Sequence, residues 1–571
     1  MTFLKHDSST FAADAARGFV LAHCDAVQSV FGGVVRTMRS AEGEVALVIG
    51  GGSGHYPAFA GLVGPGLAHG AVLGNIFASP SARQVESVAR TVEQGRGVLL
   101  SYGNYAGDKL QFDEASAALE ATGIEVRTVR VTDDISSAPE SEIDKRRGIA
   151  GDLVVFKVAG AAAAAGKDLD EVHRLAALAN DRTRSVGVAF TGCVLPGSEE
   201  PLFSVPRGRM AVGMGIHGEA GLDEVDVPTP AELAELFVTK LLAESVTPDR
   251  GSRRAVVIVN GLGAFKNDEM YVLLGHVMQQ LDAENVEVAD IKVGEFCTSF
   301  EMAGVSLTLC WVDSELEELW KAAAQSPAYS EESVSESKET VALEASAADA
   351  DEALPDASEE SRRAASRVAE LLQTVARVVD EHAEELGRVD AIAGDGDHGI
   401  GMQHGSHAAS EAAVALTEQG AGAGTLLKRV GDAWQDGAGG TSGALWGAML
   451  RAIGGVLGDD DTPSVEQVKE GVSAAAEAVQ SMGGAMPGDK TMVDALAPFA
   501  ETLANTSDYD LAAAWGEAAS AARNGADATT DMMPGLGRAR SHGDKAVGVA
   551  DPGALSFALI VEALTEELSQ G

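Results

Sequence analysis

Three aspartates, Asp390, Asp395 and Asp397, fall within eight residues in the stretch Arg388–Met402, separated by glycines and small apolar residues rather than by solubilising charge. Carboxylates that close repel one another, and a hard cation between them removes the conflict; Mg²⁺ takes such oxygens and fills its other positions with water and phosphate. Glycines between them let backbone N–H groups approach an anion closely. Alone, an acidic Asp-Gly run reads as a solvated turn. An EF-hand does not fit, because the twelfth position counted from Asp395 is Ser406 rather than glutamate. The run has companions in Gly439-Gly440-Thr441-Ser442-Gly443, Pro487-Gly488-Asp489-Lys490-Thr491-Met492, Gly537-Arg538 and Asp551-Pro552-Gly553-Ala554. Each is a small-residue stop at the edge of a helical segment, and helix N-termini bind phosphate.

The first half holds a second set. Gly50-Gly51-Gly52-Ser53-Gly54-His55 follows a β-branched run, Asn104-Tyr105-Ala106-Gly107-Asp108 follows another, and His217 sits in Val212-Gly213-Met214-Gly215-Ile216-His217-Gly218-Glu219. The glycine loop matches neither the Walker A pattern nor GxGxxG in its proper context. A histidine closing such a loop can exchange protons with a substrate hydroxyl near neutral pH. One flanked by glycines leaves its ring open to a ligand. Taken singly, each histidine reads as an ordinary surface or core residue; the three loops together do not.

Both sets resemble the dihydroxyacetone kinase family. Gly-Gly-Gly-Ser-Gly-His, Asn-Tyr-x-Gly-Asp, Gly-Ile-His-Gly-Glu and Cys297-Thr298-Ser299-Phe300-Glu301-Met302-Ala303-Gly304 carry the likeness over residues 1–325. The aspartate run and its companions carry it from about residue 360 onward. The resemblance implies a ketose held as a hemiaminal on His217, with Asp108 accepting the proton of the reacting hydroxyl and His55 assisting as acid and base. Gly52, Ser53 and Gly54 would close on the substrate. In the second half it implies a pair of Mg²⁺ ions on Asp390, Asp395 and Asp397. It implies ATP contacts at His398, Gly399, Ile400, Gly401, Thr441, Ser442, Gly483, Met492, Arg538, Asp551, Pro552 and Gly553. Covalent capture would select a short-chain ketone over a polyol without a pocket that measures length.

The chain departs from the family at Gly103, where lysine is usual, at Tyr56, where glutamate is usual, and at Phe59, where a second histidine is usual. A lost cation and a gained aromatic pair are expected to redraw the pocket wall for a ketose longer than dihydroxyacetone, erythrulose first. The segment Ala539–Lys545, after Arg538, also differs from the family's usual Tyr-Leu-Gly-Glu-Arg.

These residues need scaffolds. Short β-branched runs at Val45–Ile49, Val98–Leu100, Val126–Val131, Val154–Phe156, Val186–Phe190, Val256–Asn260 and Val305–Val312 alternate with helical segments such as Ala82–Gln94. The pattern predicts an α/β domain with a largely parallel sheet, whose ligands sit beyond the strands' carboxyl ends. The apolar run Val158–Gly166 is too short to span a bilayer and reads as a buried Ala-rich helix. Residues 326–360 are rich in Ser, Ala, Glu and Asp and read as a solvated linker between domains at 1–325 and 361–571. Beyond them Val368, Leu371, Leu372, Val375 and Val379 share one helical face, and scarcely a strand candidate follows. An all-α domain is expected there, and the resemblance implies an eight-helix barrel.

A net charge of −44 argues against nucleic acid or anionic membrane as partner. Four cysteines without CxxC spacing, and a start without an apolar h-region, suit reduced thiols in a cytoplasm. The resemblance adds a domain-swapped homodimer. Rival readings are a phosphoenolpyruvate-dependent kinase relaying through bound ADP, an FAD-AMP lyase forming cyclic FMN, and a non-catalytic ketose sensor. The fusion of both halves speaks for free ATP, and the intact Asp108, His217 and aspartate trio speak against the sensor.

Overall fold

The β-branched runs of the first half become two six-stranded sheets. The first contains β1 (Val27–Val30), β2 (Gly33–Arg36), β3 (Ala46–Ser53), β4 (Gly70–Ile76), β5 (Val98–Gly103) and β6 (Val126–Val131), in the order β1-β2-β4-β3-β5-β6. β3 runs parallel to β4 and β5, and β5 parallel to β6; β1 and β2 form an antiparallel edge. Helices Ala82–Val92 and Ala106–Glu120 supply the crossovers that parallel neighbours require. Consequently the loops leaving β3, β4 and β5 open on one side, and these carry His55, Phe77 and Asp108.

The second sheet contains β7 (Thr183–Ala189), β8 (Arg209–Val212), β9 (Asp223–Asp226), β10 (Arg254–Gly261), β11 (Glu287–Gly294) and β12 (Gly304–Trp311), in the order β11-β10-β12-β7-β8-β9. Here only β10 and β11 pair in parallel; the other four pairings are antiparallel. The α/β class stands as expected, and the parallel character belongs to the first sheet. The physical reason is connectivity: no helix separates β11 from β12 or β8 from β9, so the chain turns back instead of crossing over.

Alternation along the strands sorts the core into layers. Leu47 and Ile49 on one face of β3, and Val256 and Ile258 on one face of β10, meet around helices Asp152–Ala164 and Leu169–Asp181. Val48 on the opposite face packs on the Ala82–Val92 and Ala106–Glu120 helices. Val257 and Val259 pack on helices Pro230–Leu242 and Asn267–Ala283. The expected strand at Val154–Phe156 is instead the first half of the Asp152–Ala164 helix, whose residues are buried all round up to Ala163. A three-residue apolar run has no period of its own, and flanking alanines extend it as a helix between two sheets. Replacing Phe156 in that layer by alanine would cost about 3–5 kcal/mol.

The computed structural model describes residues 4, 10–40, 42–196, 198, 201–217, 219, 221–244, 246, 253–331, 354–393, 396–506, 510–535 and 546–570. Asp395, Arg538 and most of the expected linker lie outside the described residues. Ala324–Ser326 and Tyr329–Glu331 pair as a hairpin with Tyr329 buried, so chain expected in the linker belongs to the first unit, Met1–Val341.

The second unit, Ala342–Gly571, contains the helices Glu359–Ala393, His398–Glu418, Ala423–Ala438, Gly440–Leu457, Val465–Gly483, Val493–Asn505, Leu511–Ala528 and Pro552–Gln570. Each packs on the next in sequence, and the last packs on the first, closing the expected eight-helix ring among the described residues. Small residues let neighbours approach: a Cβ at Gly431 or at Gly447 would lie 2.7 Å from the other's carbonyl oxygen. In such an up-and-down ring, the N-termini of alternate helices, at His398, Gly440, Val493 and Pro552, share one end. Among the described residues no helix is long and apolar enough to cross a membrane.

Candidate active site

In the first unit the two sheets bring His55 and His217 together, with their Nε2 atoms 3.0 Å apart and the rings edge to face at 4.6 Å. Gly54 reaches this position with φ +106°, and a Cβ there would lie 2.6 Å from the Phe300 ring, so the loop tolerates no side chain before His55. His55 is buried, and its Nδ1 donates to the Thr298 carbonyl oxygen at 2.7 Å. A carbonyl only accepts, so His55 carries its proton on Nδ1 and offers a lone pair at Nε2. The proton shared between the rings therefore belongs to His217 Nε2. Burial, with His217 close by, pushes His55 down to about 3, which keeps its ring neutral.

His217 is oriented from behind. Its Nδ1 lies 3.3 Å from Glu219 Oε1, and its backbone N–H donates to Glu219 Oε2 at 3.0 Å. Glu219 sits 3.6 Å from Arg147, whose guanidinium donates to Asp134 at 2.8 Å and 3.1 Å. Burial pulls the Glu219 carboxyl upward, but His217 and Arg147 together bring it down to about 2. Gly215 makes this chain possible, since a Cβ there would collide with both Glu219 and Arg147.

Asp108 lies in the first turn of Ala106–Glu120, 7% exposed, and its Oδ1 has no hydrogen-bond partner. Burial pushes its carboxyl up to about 6, against the pull of the Ser79 hydroxyl and of His217. A buried acceptor left open beside a reactive ring is a place for a substrate proton. Aromatic rings wall the pair: Phe77 stacks on His55 at 4.9 Å, and Tyr105 meets His217 edge-on at 4.6 Å while donating to the Gly148 carbonyl. Ser53 donates to the Gly74 carbonyl oxygen at 2.7 Å, and Gly52 has no room for a Cβ against Ala78.

The expected wall changes fall on the glycine-loop side of the site. Tyr56 and Phe59 line a cavity of about 480 Å³ beside the helix Phe11–Ala22, together with Gly52, Ser53, Gly54 and Thr298 but not His55 or His217; Tyr56 faces Phe19, and the Phe59 ring lies against Gly51. Nor does Gly103 open a space: a Cβ there would lie 3.0 Å from the Tyr105 ring and 3.3 Å from the Gly148 carbonyl. Residues 56 and 59 follow His55 within a turn, and the chain carries them to the loop's other side. Glu219, Arg147, Asp134, Phe77, Tyr105 and Thr298 complete the site; of these Glu219, Tyr105 and Thr298 carried a sequence signal, their place in the quoted motifs, and Arg147, Asp134 and Phe77 carried none.

In the second unit the expected nucleotide residues gather at the shared end of the ring. The His398 backbone N–H donates to Asp390 Oδ2 at 3.2 Å, and Asp397 precedes the helix that His398 begins. Asp390, near the end of the Glu359–Ala393 helix, and Asp397, ahead of the His398–Glu418 helix, thus meet at one helix–helix turn. Hard oxygen donors at a glycine-rich turn fit Mg²⁺; Asp395, between them, is outside the described residues. The His398 ring bridges Ser556 Oγ at 3.0 Å and Ser442 Oγ at 3.3 Å, tying the Gly440 and Pro552 helix starts together. Gly399 allows this approach, because a Cβ there would lie 2.0 Å from the Ala383 carbonyl. Ile400 is exposed, Gly401 donates back to the Asp397 carbonyl, and Thr441 and Ser442 form the first turn after two glycines with positive φ. Met492 lies 3.4 Å from a Cβ position at Gly553, and Gly483 ends the helix whose loop leads to Met492. Asp551 accepts from the Ala554 N–H ahead of Pro552, and burial pushes its carboxyl up to about 7, with Asp494 adding to the rise.

Residues 17–328 match the Dak1 domain and residues 392–566 the DAK2 domain. The chain is 53% identical to the L-erythrulose kinase of Pectobacterium atrosepticum, over 100% of this chain and 97% of that protein. It is 47% identical to the D-erythrulose kinase of Mycolicibacterium smegmatis, over 99% and 98% respectively. Among solved structures, the dihydroxyacetone kinase from C. freundii in complex with AMP-PNP and Mg²⁺ matches with a TM-score of 0.58 and 29% identity, covering 99% of both chains.

Proposed function

This chain belongs to the dihydroxyacetone kinase family, and from that membership we propose that it phosphorylates erythrulose at a terminal hydroxyl using Mg-ATP. It is an ATP-dependent ketose kinase. Support for the four-carbon substrate comes from the erythrulose kinases it resembles along its whole length. The observation that carries the mechanism is the 3.0 Å contact between His55 Nε2 and His217 Nε2.

In the proposed sequence His217 Nε2 gives its proton to His55 Nε2, and the lone pair so freed attacks the ketose carbonyl carbon while Nδ1–H stays bonded to Glu219. An N–C bond forms, the C=O π bond breaks, and the proton on His55 passes to the former carbonyl oxygen. The product is a hemiaminal whose ring, protonated at Nδ1, is balanced by the Glu219 carboxylate. Because burial disfavours its cation, His55 relays the proton without keeping it. Glu219 holds the His217 ring by Nδ1, so that Nε2 is the reacting atom. The terminal hydroxyl of the captured ketose then gives its proton to Asp108, and its oxygen attacks the γ-phosphorus as ADP leaves. Mg²⁺ held by Asp390, Asp395 and Asp397 would neutralise charge on the transferring phosphoryl group. The helix starts at His398, Gly440, Val493 and Pro552 would receive the nucleotide, with Met492 and Asp551–Gly553 as its border. Alignment and charge neutralisation are what this reaction needs.

A homodimer in which one chain's nucleotide unit serves the other's ketose unit belongs to the same reading, as do Arg538 as a nucleotide contact and a reducing cytoplasm. Mixing His217→Ala with Asp390→Ala chains should restore activity if the units work across chains. The substrate is tested by kcat/KM for dihydroxyacetone and for both erythrulose enantiomers. A clear advantage for the triose would reject erythrulose.

A further inference from the structure

Lysine before threonine in Gly488-Asp489-Lys490-Thr491 has the look of a phosphate-binding lysine, but Lys490 is turned inward. It is 1% exposed and stands at φ +60°, a left-handed conformation costly for a residue with a side chain. Its ammonium donates to the Thr529 carbonyl at 2.6 Å and to the Val549 carbonyl at 2.7 Å. Those carbonyls lie at the two ends of the connection between the Leu511–Ala528 and Pro552–Gln570 helices. The same base is closed by Asp551 N–H donating to Thr529 Oγ1 and by Gly548 N–H donating to the Thr530 carbonyl. On the other side, Asp494 fixes the turn that carries the lysine, accepting from Gly488 N–H at 2.5 Å and Thr491 N–H at 2.8 Å.

We propose that Lys490 is a positioning residue for the nucleotide, pinning the base of the 529–551 connection to the 488–492 turn so that Met492 and Asp551–Gly553 keep their spacing. This rests on the reading that those residues border the nucleotide. With two of its three N–H bonds given to carbonyls and its side chain buried, the ammonium is committed to the walls it joins rather than offered at the surface. The lysine therefore acts on the adenine nucleotide through the walls it joins, and the ketose site is independent of it.

The test uses the full-length chain with Lys490→Met and Lys490→Gln. Titration calorimetry of Mg-ADP, Mg-AMP and adenosine should show affinities that fall by a common factor of about tenfold in Lys490→Met. The glutamine variant, which keeps a donor, should fall less. The KM for ATP should rise while kcat and the KM for ketose stay within about twofold, a split that general loss of folded protein would not produce. A loss that grows with the number of phosphates would place the ammonium on the phosphates and overturn the proposal, as would unchanged affinity for all three ligands. Independently of any variant, Lys490 of the wild type should resist amine acylation with or without nucleotide. Protection that appears only on adding ADP would overturn it too. If the wild type binds no adenine nucleotide, the kinase reading fails first, and ketose capture at His217 then shows which part of it survives.

Discussion

In the unit proposed to bind the ketose the reactive groups are side chains fixed from behind: the Thr298 backbone carbonyl fixes His55, Glu219 and Arg147 fix His217, and Asp108 is held by burial in the first turn of its helix. In the nucleotide unit the groups are mostly helix starts and carboxylates, with His398 and Lys490 serving as ties between backbone segments. The difference follows from the chemistry each has to do. A covalent step needs a nucleophile whose proton and orientation are set in advance. Phosphate and Mg²⁺ are satisfied by N–H groups and oxygens offered from several helices, and they complete the site by binding to it.

Removing the nucleophile should break this contrast most severely. His217→Ala should lower kcat/KM by about 10³-fold or more in a coupled ADP-release assay. Asp390→Asn should cost about 10²–10³-fold in kcat while leaving ketose capture on His217 intact, because it belongs to the other unit. Equal loss of capture would erase the division of labour. The pH profile sharpens the first side. Asp108 must be ionised to take a proton, so kcat/KM should fall on the acid side below about pH 6. The same raised pKa means that the folded state holds this proton more tightly than the unfolded chain. Its contribution to stability is therefore present below about 3.8 and lost as pH rises through about 6.

Glu219→Gln keeps the hydrogen-bonding shape but removes the charge behind His217, and should slow turnover by about tenfold. The smallest effect is expected at Tyr56. Restoring the family residue with Tyr56→Glu should change the erythrulose-to-dihydroxyacetone ratio by less than about twofold, because that ring faces Phe19 and a cavity that neither His55 nor His217 lines. A larger change would return Tyr56 to the pocket wall.

How much of this was legible depended on whether partners were near in sequence. Gly52–His55, Asn104–Asp108 and His217–Glu219 announce themselves because loop glycines and reactive residues are adjacent. The α/β to all-α change is visible in period alone. Arg147, Asp134 and Phe77 reach the histidines only through the folding of two sheets, and nothing local marks them; Thr298 stands in a quoted motif, but nothing there names its carbonyl as the partner of His55. Val154–Phe156 misleads for a related reason: three apolar residues suit a strand or a helix, and packing between the sheets decides. Tyr56 and Phe59 show that closeness to His55 along the chain does not place a side chain beside its ring. Lys490 adds a residue the motif leaves without a role, its ammonium committed to two carbonyls.

The central claim is covalent capture at His217, and ¹³C NMR of erythrulose labelled at its carbonyl carbon reads it directly, with protein in excess and no ATP. The account predicts that the ketone signal is replaced by that of a tetrahedral carbon with the wild type, and that it persists with His217→Ala. A bound ketose whose labelled carbon stays trigonal in the wild type, or a tetrahedral signal that survives loss of the imidazole, would contradict it.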